Sequence, residues 1–96
     1  MKIVWSPQAR RDLNRIVTLI SQDKKAAAVR WAKTIEKKVF RLARFPKSGR
    51  VVPELRREEI REIVVGDYRV IYKLEKTIAI LTVFHGARSS LGSLES

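Results

Sequence analysis

Ninety-six residues make one domain with a modest core, and a hydrophobic content of 45% argues against wholesale disorder. The chain has no cysteine and a single histidine, which excludes a disulfide framework, a thiolate zinc site and a multi-histidine metal cluster. Lys+Arg outnumber Asp+Glu by 21 to 10, a net charge of +11 that draws nucleic acid or acidic proteins, or only keeps the surface wetted.

The opening MKIVWSPQARRDL has no signal-peptide apolar run, and no stretch approaches the ~20 apolar residues of a membrane span. A cytoplasmic protein without a membrane anchor is the default expectation. Nothing in the composition calls for a metal or a cofactor.

Lys2-Ile3-Val4-Trp5 is a short β-prone run, expected at a sheet edge or beside the last strand. Ser6-Pro7 reads as a helix N-cap with proline in the first turn. Ala9, Leu13, Ile16, Val17 and Ile20 then follow at helical spacing, with Arg10, Arg11, Asn14 and Arg15 on the wet side. Asp12 reads as a charge mildly favoured near a helix start. Ser21-Gln22-Asp23 breaks the pattern, with Ser21 or Asp23 as cap of a second helix.

That helix is expected from Ala26 to Ala43. Ala28, Ala32, Ile35, Val39 and Leu42 form its buried stripe, flanked by Trp31. Arg30, Lys33, Lys37, Lys38, Arg41 and Arg44 give it a basic back. Phe45-Pro46 is the stop, because the residue before proline avoids the helical region. Lys47–Arg50 is loop by composition, Val51–Leu55 is extended by the proline rule, and Arg56-Arg57-Glu58-Glu59 is a polar lead-in.

Three β-branched and aromatic runs follow: Ile60–Val65, Tyr68–Leu74 and Thr77–His85. Gly66-Asp67 and Glu75-Lys76 punctuate them as hairpin turns. The expectation is an antiparallel meander that needs helices on one face, since so small a sheet is marginal alone. The order is β-α-α-β-β-β, an α+β two-layer sandwich of an antiparallel sheet on a helical hairpin. Residues 1–88 form the domain, and 89–96, SSLGSLES, are expected to be loose.

Chemistry, if any, falls on a small polar group. There is no Gly-rich phosphate loop, no nucleophile elbow and no carboxylate pair in an apolar setting. What remains is Arg61, Glu62, Arg69, His85 and Arg88. Arg69 stands mid-strand, as a solvated residue paired with Glu62 or as a fork for phosphate or carboxylate. His85 is structural if alone. Between Arg69 and Arg88 it would serve as general acid in ribose-phosphate cleavage. Register decides. A two-residue loop at Glu75-Lys76 sets Tyr68 opposite Val83 and puts Arg69 and His85 on opposite faces. A three-residue loop sets Arg69 opposite Val83 and puts them on one face.

Taken together, Trp5-Ser6-Pro7 with Ala9 and Asp12-Leu13, Phe45-Pro46 with Gly49-Arg50, and Pro53-Glu54 before Arg61-Glu62 have a family look. So do Tyr68-Arg69-Val70-Ile71-Tyr72 and Val83-Phe84-His85-Gly86-Ala87-Arg88. Over residues 3 to 88 this order and spacing resembles the RelE/ParE superfamily of type II toxin–antitoxin toxins. It is nearer the ParE-type, plasmid-stabilisation branch. The resemblance implies a small basic toxin neutralised by an acidic or amphipathic antitoxin, within reach of a heterotetramer. RelE-like members cleave mRNA in the ribosomal A site. ParE-like members share the fold without that catalysis and are associated with DNA gyrase poisoning.

The nuclease pattern is incomplete here. A RelE-like tyrosine is missing from Ser89–Ser96, and Arg56-Arg57 is the only basic pair before the first meander strand. A YoeB-like glutamate, arginine and histidine set maps onto Glu54, Arg69 and His85, with the His-Tyr ending replaced by His85-Gly86.

Three readings stand. One is a ParE-like gyrase inhibitor with Arg56, Arg57, Arg61, Arg69 and Arg88 facing the target. The next is a ribosome-dependent mRNA endonuclease using Glu54, Arg69, His85 and Arg88. The last is a non-catalytic nucleic-acid-binding module using the basic back of the second helix. In the toxin readings the antitoxin meets Arg11, Arg15, Lys37 and Arg41, or an exposed strand edge.

Overall fold

A computed structural model describes residues 1–87, so Arg88 and the tail expected at 89–96 lie outside the described residues. The elements are β1 (Ile3–Trp5), α1 (Pro7–Asp23), α2 (Lys25–Phe40), β2 (Arg50–Val51), β3 (Ile60–Val65), β4 (Tyr68–Leu74) and β5 (Ile78–His85). They form one five-stranded sheet in the order β1-β5-β4-β3-β2, backed by the two helices. Three pairings are antiparallel, and β1 runs parallel to β5. The α+β sandwich expected from the sequence is the observed architecture.

Ser6 caps α1 as expected: its Oγ accepts the Ala9 N–H at 3.0 Å, and Pro7 takes the first turn. The helix runs on through Ser21-Gln22-Asp23, where a break was expected. Only Lys24, with φ −150, leaves the helical region, and it leads α2 with no side-chain cap. The second helix is α-helical to Phe40, and a 3₁₀ turn, Arg41–Ala43, extends it to Ala43, the expected end. Tightening the last turn is a common way to end a helix whose final carbonyls lack partners.

The sheet has two apolar faces. Toward the helices, Ile16, Ile35, Val39 and Leu42 pack on Val65, Val70, Tyr72, Ile78, Ile80 and Val83. On the outer face Ile60, Ile71 and Phe84 are covered by Val52 and Leu55. The segment expected to be extended therefore bends instead. Strand β2 ends at Val51, although the Val52 N–H still reaches the Ile60 carbonyl at 3.1 Å, and Pro53 then sits in the turn. The Leu55 and Arg56 amides donate to the Val52 carbonyl at 3.2 and 3.0 Å, and Arg56 closes the turn at φ 52.

The β4–β5 register follows neither expected alternative throughout. Near the turn Leu74 pairs with Ile78 and Tyr72 with Ile80, as a three-residue loop requires. A bulge at Leu81 then adds one residue, so Val70 faces Val83, Arg69 faces Phe84 and Tyr68 faces His85. Helix α1 accounts for the bulge. Ser6 Oγ donates to the Leu81 carbonyl at 2.9 Å. Asp12 Oδ2 accepts the Val83 N–H at 3.0 Å and the Thr82 hydroxyl at 2.6 Å. Asp12, expected as a charge mildly favoured near the helix start, is buried and holds β5 instead.

Candidate functional site

The outer face of the sheet places the candidate residues. Val52 and Leu55 anchor the turn that follows β2, and this hangs Glu54 over β4. Arg69 Nη1 and Nη2 donate to the two Glu54 carboxylate oxygens at 2.7 and 2.9 Å, a bidentate fork. Arg69 Nε donates to Glu62 Oε1 at 2.7 Å, and its guanidinium lies 5.4 Å from the Phe84 ring centroid. The side chain is only 11% exposed. The expected pairing with Glu62 is present, but Arg69 is neither solvated nor an open anion fork: it is clamped between two carboxylates over a ring.

Glu62 is fully buried and also accepts from Arg50 Nε at 2.6 Å. Arg61 is buried at the β2–β3 join. It donates to the Glu58 and Gly49 carbonyls at 3.1 and 2.9 Å and pairs with the Glu58 carboxylate. A guanidinium held by backbone carbonyls braces the loop and offers no open fork. Arg56 and Arg57 stay on the exposed rim, with Arg57 Nε on Glu59 Oε1 at 2.7 Å.

This packing shifts two groups in opposite directions. The hydrogen bonds from Arg69 hold the Glu54 carboxyl at about 2. The bond to Glu54, then that to Glu62, raises Arg69 further against the cost of burial. Both stay ionised across any physiological pH.

His85 belongs elsewhere. It pairs with Tyr68 across the β4–β5 ladder, and their rings meet edge-on at 5.4 Å. Tyr68 in turn meets Trp31 edge-on at 5.1 Å. The exposed His85 Nδ1 accepts the Ala87 N–H at 3.1 Å. So Glu54 and Arg69 come together on the outer face, while His85 sits beside Tyr68 on the helix-side face, over a cleft of ≈ 260 Å³ with Ile16 and Leu19 of α1. Among the described residues no group of three His, Cys, Asp or Glu side chains could hold a metal. No helix is long and apolar enough to cross a membrane.

The exposed strand edge expected from the sequence, there without a position, falls on β3, and the buried hydroxyl behind it went unread. β2 pairs only with Arg61 and Glu62, so the outer edge of β3 is unpaired from Ile63 on, and Val64 is 52% exposed with its carbonyl 3.4 Å from Lys38 Nζ. A groove of ≈ 380 Å³ runs along this edge, lined by Lys38, Arg41, Gly49, Arg50 and Ile63 among others. Behind it the buried Tyr72 hydroxyl accepts the Gly49 N–H at 3.0 Å and donates to the Pro46 carbonyl at 2.7 Å.

The antiparallel sheet with one parallel edge strand on a helical hairpin, with Arg69 clamped on its outer face, is that of a RelE/ParE superfamily toxin. More narrowly, the chain belongs to the ParE toxin family of type II toxin–antitoxin systems, parDE, whose family model matches residues 3–90. It is 36% identical over 86 residues to the Sinorhizobium fredii protein named "Putative toxin Y4kP", covering 88% of this chain and 86% of that one. A chain of the chromosomal ParDE system of P. aeruginosa shares the fold, with a TM-score of 0.73 at 19% identity, covering 88% of this chain and 95% of that one. A chain of the RelBE2 toxin–antitoxin complex of Mycobacterium tuberculosis matches with a TM-score of 0.53 at 29% identity and the same coverage.

Proposed function

We propose that this type II toxin acts by binding, as an inhibitor of DNA gyrase, and does not cleave mRNA. The closed state of Arg69 carries the reading. A nuclease of the expected kind needs that guanidinium free to hold a phosphate beside His85. Here both of its edges are taken by Glu54 and Glu62, and His85 lies on the opposite face of the sheet. On this reading the Glu54–Arg69–Glu62 clamp shapes the outer face, and the rim cations Arg56 and Arg57 meet the target.

The antitoxin is an acidic or amphipathic chain whose extended segment pairs with the free edge of β3 at Val64. Lys38 and Arg41 flank that groove and match an acidic strand.

The test uses purified protein against gyrase and, separately, a translating extract. Dose-dependent loss of supercoiling with unchanged mRNA is the expected result. Untouched supercoiling together with A-site cuts that vanish in His85→Ala overturns the reading. His85→Ala suits this assay because the side chain is exposed. Arg69→Ala would strip a buried carboxylate of its partner and confound activity with folding.

A further inference from the structure

The outward face of α2 and of the turn after it carries a pattern that the gyrase reading leaves unused and that shares only Arg41 with the groove along the β3 edge. Arg30, Lys33, Lys37, Phe40, Arg41 and Arg44 recur at steps of three, four, three, one and three residues, all exposed, opposite the buried stripe of Ala28, Ile35, Val39 and Leu42. From Lys37 to Pro53 the chain has six cations and no carboxylate. Among the described residues none of Lys33, Lys37, Arg41, Arg44 and Lys47 forms an ion pair.

Two aromatic rings stand open among these charges. Phe40 is 74% exposed and Phe45 51% exposed. The Arg44 guanidinium lies 5.9 Å from the Phe45 ring centroid. Two shallow hollows of ≈ 620 and ≈ 490 Å³ adjoin here, sharing Arg41, Arg44 and Phe45. Large apolar rings left in water beside unpaired cations are costly for a face that only keeps a protein soluble.

We propose that this face binds single-stranded nucleic acid. Lys33, Lys37 and Arg41 follow one another about one helical turn apart, ~5.4 Å of rise, which is comparable with the step between phosphates along an extended strand. Phe40 and Phe45 supply stacking surfaces for bases at the end of that row, with the Arg44 guanidinium adding a flat cationic partner. The site is independent of the gyrase reading. It lies on the helices, whereas Arg69 and Glu54 lie across the sheet.

A single strand fits better than a duplex because paired bases keep their faces stacked inside the helix and leave Phe40 and Phe45 nothing to cover. It fits better than an acidic peptide because the cations are spaced as a row with rings at its end.

The test is fluorescence anisotropy of the full chain with a labelled 15-mer of thymidine, across a salt series. The expected result is binding whose log–log salt slope is about −3, as roughly four released phosphate contacts require. Phe40→Ala and Phe45→Ala, both on exposed rings, weaken single-strand binding about tenfold each without changing that slope. Lys37→Glu with Arg44→Glu abolishes binding, while Lys76→Glu at the distant β4–β5 turn shifts it little. A duplex 15-mer bound as tightly, and equally by the Phe40 variant, would reduce the face to plain charge attraction and overturn the proposal. So would tighter binding of poly-glutamate than of the oligonucleotide, or no binding at low salt.

Discussion

Asp12 of α1 and Val83 of β5 lie 71 residues apart in sequence and meet through one hydrogen bond of 3.0 Å. The Val83 N–H lies beyond the last β1–β5 pair, Trp5 with Ile80, and the buried Asp12 carboxylate receives it. Gln8 Nε2 and Arg15 Nη2 occupy the other oxygen at 2.7 and 3.1 Å. Asp12→Ala would leave the Val83 amide and the Thr82 hydroxyl without a partner in a dry place. A loss of about 2–4 kcal/mol follows at roughly 1–3 kcal/mol for each orphaned group. Urea unfolding measures it as a lower midpoint at unchanged slope.

The Glu54–Arg69 fork makes stability depend on acid. The folded Glu54 carboxyl sits at about 2, below its ordinary 4.5. A lowered carboxylate pKa stabilises the fold above 4.5, and the contribution is lost as pH falls from 4.5 toward 2. Its size is modest, about 1 kcal/mol or less, because the Glu54 side chain is 42% exposed and water screens the pair. Melting temperature against pH should therefore fall less steeply between 4.5 and 2.5 in Glu54→Gln than in the parent. Parallel curves would show that the fork contributes nothing to the folded state.

Gly49 is required by close approach. A Cβ built there would lie 2.5 Å from both the Glu62 carbonyl oxygen and the Tyr72 hydroxyl. The first of these is backbone in the middle of the sheet and cannot move aside. Gly49→Ala should cost about 1–3 kcal/mol through overpacking. Tyr72→Phe, which leaves the Gly49 amide and the Pro46 carbonyl unpaired, should cost a similar amount. Thermal unfolding of the two variants, and of both together, checks this. The double loss should be less than the sum, because the two changes break one junction.

The strands were readable because β-branched runs between Gly66-Asp67 and Glu75-Lys76 carry period and punctuation in the local chain. Ile60–Val65 and Tyr68–Leu74 appear with the expected bounds, and the last strand begins one residue later, at Ile78. The Phe45-Pro46 stop was readable for the same reason. What stayed hidden depends on partners far along the chain. The bulge at Leu81 is held by Ser6 and Asp12, so no inspection of residues 68 to 85 alone could fix the register. Arg69 looked like an open fork because the turn that lowers Glu54 onto it rests on Val52 and Leu55 packing against Ile71 and Phe84. The free edge at Val64 arises because β2 begins only at Arg50, opposite Glu62, so no strand lies alongside Val64, and the loop composition of Lys47–Arg50 does not say which strand that leaves open.

That free edge gives the sharpest test of the antitoxin surface. Alternation along β3 turns the Val64 N–H and C=O outward, since Ile63 and Val65 pair with Val70 and Tyr68 of β4. Proline is tolerated at a strand position whose N–H faces away from its neighbour. Val64→Pro should therefore leave the fold close to intact while removing the donor that an added strand needs. Losing that bond, and the pairing geometry around it, should weaken the complex with the neighbouring-gene antitoxin tenfold or more, at ~1.4 kcal/mol per decade. Calorimetric titration reads this directly, with circular dichroism confirming the fold. Full affinity in the folded variant would move the antitoxin off the β3 edge and onto the helices.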